Sequence, residues 1–172
     1  STLSGGESQR VLVRGGARLH APEIVLVAPD NGGITVEQGA VLSTIGLGAA
    51  PRDARGGYYY SASTGGALIL SNGLVNMRSS EGGRVAIDVG ACAGVCAGVT
   101  RLVSEGTIGA ATNGAFTLRD NVEYGTRNLM LSVSGLNLGS PQALAQAAAA
   151  GQLPPGLALD QDALAQLLRG NT

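Results

Sequence analysis

Two cysteines, Cys92 and Cys96, stand in the run GACAGVCAGV at residues 90–99, and the chain has no others. Structural zinc takes four ligands. Two thiols and the one distant histidine, His20, cannot supply them, so no metal and no cofactor are expected. A thioredoxin-like redox site has two residues between its cysteines and βαβ surroundings; here three residues intervene and the surroundings differ. A local disulfide or a pair of free thiols remains. Gly94 lets the loop turn tightly enough to bring the two Cα atoms within the ~4.4–6.8 Å that a bridge needs. Closing so short a loop contributes about 2 kcal/mol on the chain-entropy account.

Other reactive types are sparse. His20 lies in ARLHAPE with no G-x-S-x-G nucleophile motif anywhere, so it reads as structural and no catalytic residue is expected. Polysaccharide cleavage needs clustered carboxylates, and the acids here (Asp30, Glu37, Asp53, Glu81, Asp88, Glu105, Asp120, Glu123) are scattered. Only stacking of strands would bring Asp88 beside another. The most unusual loop is PRDARGGYYYSAS at 51–63. Tyr58, Tyr59 and Tyr60 offer flat faces with polar tips, suited to sugars or protein interfaces. Arg52 and Arg55 add contacts for anionic or polar groups. The plainer reading is an irregular loop whose tyrosines cover an edge. If the chain has a ligand site, these five residues are the candidates.

The elements that would position these groups follow from composition and pattern. The chain has 172 residues, 28 of them glycine, with 44% hydrophobic, 3% aromatic and 13% charged residues. Average domains carry roughly 25% charged residues. Every basic residue is Arg and the net charge is −1, which argues against nucleic acid as a partner. No apolar run approaches the ~20 residues of a membrane span. No signal peptide is visible and the first residue is Ser1, as expected of a processed product or an internal fragment.

Short strands punctuated by glycine dominate: 23–28, 34–46, 67–80, 84–90, 100–109, 115–125 and 127–139. Ile34 and Val36, Leu68 and Leu70, Val85, Ile87 and Val89, and Phe116 and Leu118 alternate with period two, the mark of a half-buried strand. Units starting at Gly32, Gly65, Gly82 and Asn113 echo one another, each a small-residue turn followed by strand, polar corner and strand. Such repetition predicts an all-β solenoid of about six coils. A β-sandwich of hairpins, with Asn72-Gly73 as a tight turn, is the alternative.

Composition changes at Ser140, dividing the chain into coils over 1–139 and a helical capping or packing segment over 140–172. Ser140 suits an N-cap, Pro141 a first turn and Gly151 a stop. Asp160 suits the cap of a second helix with Leu164, Leu167 and Leu168 on one face.

The run GSPQALAQAAAAGQLPPGLALDQDALAQLLRG at 139–170, following APDNGGITVEQGAVLSTIG at 28–46, resembles an internal region of the filamentous haemagglutinin-like large exoproteins exported by two-partner secretion. The resemblance implies a right-handed parallel β-helix with a short C-terminal helical pair, secreted or held at the bacterial cell surface. It implies adhesion, aggregation or biofilm roles, with a host or sibling-cell glycan or protein as partner. The full-length protein would also engage an outer-membrane transporter, although the family's amino-terminal secretion domain is not apparent here. An oxidising exported setting favours the Cys92–Cys96 disulfide. A carbohydrate-active β-helix enzyme or a carbohydrate-binding module is the alternative function.

Overall fold

The computed structural model describes residues 10–29, 32–49, 65–73, 75, 77–78, 82–88, 98–114, 116–118, 121–154 and 156–169. Twelve strands pass through three sheets in strict rotation. The first sheet orders β1 (Arg10–Val13), β4 (Gly33–Val36), β7 (Arg84–Ile87) and β10 (Phe116–Leu118). The second orders β2 (Arg18–His20), β5 (Val41–Ser43), β8 (Thr100–Val103) and β11 (Val122–Gly125). The third orders β3 (Glu23–Ala28), β6 (Gly66–Ser71), β9 (Thr107–Ala111) and β12 (Asn128–Ser132). Each strand therefore pairs with the third one before or after it, never with its immediate neighbour in sequence. The hairpin sandwich is excluded, and Asn72-Gly73 joins no hairpin. Among the described residues these strands make four rotations.

Period-two alternation sets the inward rows. Val11, Ile34, Val85 and Phe116 face Leu19, Leu42, Leu102 and Tyr124, and Ile24, Leu70, Ile108 and Leu129, in one shared core. No aromatic cluster is needed, because stacked aliphatic side chains fill most of each row, with Phe116 and Tyr124 each ending one.

Each corner uses a different device. Between the first and second sheets, Gly16, Gly39 and Asn121 occupy equivalent places, all with positive φ (81°, 84° and 65°). Gly and Asn are the residues that adopt this conformation most readily. Between the second and third sheets stands a buried hydroxyl column, Thr44, Ser104 and Thr126. Between the third and first sheets stands a column of glycines. A Cβ on Gly65 would overlap the backbone of Pro29 and Gly32, one on Gly83 the backbone of Gly65, and one on Gly114 the carbonyl of Gly83. The echo of units starting at Gly32, Gly65, Gly82 and Asn113 is the trace of this close approach.

The expectation of a wholly parallel stack needs correction. The first two sheets are parallel throughout, but β6 runs antiparallel to both β3 and β9. Residues 44–65 are long enough for the chain to enter the third sheet from its far end. It must then cross back before β7, and this return explains a second departure from expectation. Ala67 and Ile69 point outward yet are buried completely. Val75 is buried and the Met77 thioether lies over Gly109, so these two residues of the return lie on the outer surface of the third sheet. The predicted strand 67–80 accordingly ends at Ser71.

The carboxy-terminal segment also departs from a simple helical pair. α1 (Pro141–Ala149) has Ser140 as N-cap, accepting from Ala143 N at 3.2 Å, and Gly151 follows its end at φ 67°. α2 (Gln161–Arg169) is capped by Asp160, whose Oδ1 accepts from Ala163 N at 2.8 Å. Between them lies a strand, β14 (Leu157–Asp160), parallel to β13 (Leu136–Gly139). Leu157 and Leu159 of β14 are buried in the core beside β10, whereas Leu136 and Leu138 on β13 are 54% and 58% exposed. The later strand takes the inner place. α2 packs against β11 through Leu167, and Gln166 Nε2 donates to Val122 O at 2.8 Å. Leu168, expected on the packed face, is exposed. Among the described residues no helix is long and apolar enough to cross a membrane.

Candidate functional site

The outer surface of the second sheet carries the most distinctive polar chemistry among the described residues. Outward side chains form two rows in register: Arg18, Val41, Arg101 and Glu123, then His20, Ser43, Val103 and Gly125. Arg101 Nε pairs with Glu123 Oε2 at 3.0 Å, and its Nη2 lies 3.5 Å from Oε1. This side-on pairing leaves Nη1 uncommitted. Both side chains are about half exposed, so the pair contributes little to stability.

Beside it, where the second sheet meets the third, lies a cleft of about 360 Å³ lined by Ile45, Arg101, Val103, Ser104, Glu105, Gly125, Thr126 and Arg127. The cleft is held from beneath by the hydroxyl column. The Thr44 hydroxyl donates to Asn72 Oδ1, and its oxygen accepts from Glu105 N at 3.3 Å with Ser104 Oγ 3.0 Å away. Ser104 Oγ donates to Ser71 O at 3.1 Å and accepts from Gly106 N at 3.2 Å. Thr126 Oγ1 donates to Gly106 O at 2.8 Å and accepts from Asn128 N at 3.3 Å. Asn72 Nδ2 donates to Thr44 O at 2.9 Å and Gly48 O at 2.6 Å, tying the turn after β5 to the column.

That turn forms one wall. His20 Nε2 sits 2.9 Å from Ile45 O, and Glu105 Oε1 accepts from Gly46 N at 2.8 Å. His20 thus braces this turn. Arg127 is exposed and has no ion-pair or hydrogen-bond partner among the described residues. The floor is open because Gly125 has no side chain; a Cβ there would stand 3.3 Å from Val103 Cγ1.

Cys92, Cys96, Arg52, Arg55, Tyr58, Tyr59 and Tyr60 all lie outside the described residues. Of the scattered acids, Glu37 and Asp88 take equivalent places after Val36 and Ile87, so stacking does bring Asp88 to the level of another carboxylate. Both serve the corner. Glu37 Oε2 accepts from Gly15 N at 2.9 Å, and buried Asp88, at φ 56°, donates its N–H to Val36 O at 2.7 Å. Among the described residues no three His, Cys, Asp or Glu side chains converge as a metal site would require. Two buried polar atoms, Tyr124 Oη and Asn113 Oδ1, lack a hydrogen-bond partner among the described residues. Burial raises the Tyr124 phenol beyond the ordinary range. Burial also raises Glu23, against a lowering hydrogen bond from Ser71.

Sequence reasoning missed the Arg101–Arg127 cleft. Its residues are far apart in the chain, and only the pairing of β8 with β11 brings them together. The available signal was the like spacing of TRLVSEG at 100–106 and VEYGTRN at 122–128, each a strand followed by a hydroxyl residue. Comparison with protein-family models, with curated proteins and with solved structures finds no match to this chain.

Proposed function

We propose that this chain is a structural and adhesive segment of a large exported bacterial surface protein of the filamentous haemagglutinin-like kind. In this reading it is a right-handed β-helix, parallel except at β6, and mediates attachment or aggregation. The observation that carries the reading is the rotation of the chain through three sheets, with strands paired three apart around one core. Such a stack extends by adding coils at ~4.8 Å each, so it suits a spacer that holds surfaces away from a cell. Right-handed winding is the hand that parallel crossovers take. The three stacked corners place turns and loops, the natural carriers of recognition, on the outside of a stiff frame. The sequence 51–63 with its three tyrosines and the cleft beside Arg127 are the surfaces this function would use.

The test is attachment itself. Beads carrying the purified chain should bind epithelial cells or bacteria of the source strain above albumin-coated beads, and soluble chain should compete. Absence of binding above albumin sinks the adhesive reading. A left-handed coil in a crystal structure would remove the proposed winding.

A further inference from the structure

We infer that the cleft beside Arg127 is a binding site for a carboxylate next to an aliphatic side chain, presented by a protein partner. The inference extends the attachment reading to one class of ligand, but its argument stands on the cleft alone.

The argument counts the groups that are free to bind. Of the polar side chains lining the cleft, Ser104 and Thr126 have their hydroxyls committed to backbone carbonyls within the column. Glu105 spends one oxygen on Gly46 N. The donors left over are the whole guanidinium of Arg127 and Nη1 of Arg101. Guanidinium groups hold planar anions in a bidentate fork. The lining carries Arg101, Arg127 and Glu105; Arg101 is paired with Glu123 beside the cleft, so Arg127 is the lining cation without an ion-pair partner among the described residues.

The remaining lining is aliphatic: exposed Ile45 and half-buried Val103, with the open floor at Gly125. Among the described residues no aromatic ring lines the cleft. Among the described lining residues a sugar finds neither a stacking platform nor a free hydroxyl partner, whereas a peptide carboxylate with a Val- or Ile-like neighbour meets both kinds of surface. The volume, about 360 Å³, lies at the small end of ligand sites and accommodates one or two side chains. The carboxylate could belong to an acidic side chain or to a chain terminus; their chemistry here is the same.

The experiment titrates the isotope-labelled chain with four probes and follows backbone amide shifts by NMR. The probes are a blocked peptide centred on Val-Glu-Val, its Gln counterpart, a peptide ending in Val-Val with a free carboxylate, and glucuronate. The inference expects shifts at Ile45, Val103, Gly125 and Arg127 with the Glu peptide, the free-carboxylate peptide or both, and the stronger of the two names the source. The Gln peptide should bind about tenfold more weakly, and Arg127→Ala should cost about the same, as expected for a lost charge-assisted pair. Arg127 is exposed, so that variant keeps the fold; Gly125→Val, which narrows the floor, should also weaken binding. Equal binding of Glu and Gln peptides overturns the inference. So does glucuronate binding more tightly than either carboxylate peptide, an unchanged Arg127→Ala, or no cleft shifts at about 10 mM peptide, where even weak sites fill. Cell attachment lost with peptide binding intact would count against the adhesive reading alone.

Discussion

Replacing Gly83 by Ala tests the glycine column directly. A methyl group at this position would coincide with the carbonyl of Gly65 in the neighbouring coil. Backbone cannot swing aside as a side chain can, so the two coils must separate by more than an ångström at that corner. Overpacking of this kind costs ~1–3 kcal/mol. The shift also disturbs the buried bond that Thr112 Oγ1 donates to Gly83 O, 2.6 Å in length, worth ~1–2 kcal/mol once broken and left unsatisfied. The expected loss is about 4 kcal/mol, a large share of the ~5–15 kcal/mol that a domain has.

Urea unfolding followed by far-UV circular dichroism measures it, with an unchanged m-value as the check that only stability moved. The informative control is Gly46→Ala. Gly46 has a positive φ of 75° but nothing within 4 Å of a Cβ, so Ala there costs only backbone strain, about 1 kcal/mol. Gly114→Ala, which meets the Gly83 carbonyl, should match Gly83→Ala. If Gly83→Ala costs no more than Gly46→Ala, the glycines are there for conformation and the close-packed corner is wrong.

Thr44→Val keeps the shape of a fully buried residue but removes the hydroxyl that serves Asn72, Ser104 and Glu105; a loss of about 2–3 kcal/mol is expected in the same unfolding assay. Tyr124→Phe should act in the opposite sense. Its hydroxyl is buried without a partner, so removal should raise stability by about 1 kcal/mol, read as a higher Tm. The same group makes a pH prediction. The folded phenol is raised above its ordinary 10.0, so the folded state keeps a proton that the unfolded state releases. Stability is unaffected below pH ~10 and falls as pH rises above it, and Phe at 124 should flatten that fall. For Cys92 and Cys96, thiol titration of the unreduced chain should find no free thiol, and two would refute the bridge.

Much of the strand pattern was legible because it rests on local rules. Residues 23–28 form β3 as read, and the alternating pairs Ile34 and Val36, Leu68 and Leu70, and Val85 and Ile87 all point inward. Ser140 and Asp160 cap the helices for the reason their side chains suggested. Strands β1, β2 and β14 escaped notice. β1 has only three apolar residues behind Arg10, β2 has only three residues, and β14 lies in a stretch whose flanks read as helix. Their strand character comes from the sheets they join, not from their own composition. The cleft went unread for a related reason: the like spacing of 100–106 and 122–128 places residues 101 and 127 together only once β8 is paired with β11.

The direction of β6 shows where such reading must stop. Period-two alternation looks the same from either end, so it identifies the inward residues without saying which way the strand runs. Leu68 and Leu70 fill their layers against Leu26 and Ile24 on one side and Ala110 and Ile108 on the other, as they would in a parallel strand. The core is indifferent to the reversal; only the connections register it. A long approach over 44–65 and a return over 72–83 are required, and the return must cover whatever it crosses. The reversed strand is therefore the one whose outer face is sealed, with Ala67 and Ile69 fully buried. An unbroken apolar run between two long connections, where most other strands alternate and connect by two to four residues, is the sequence signature of that reversal.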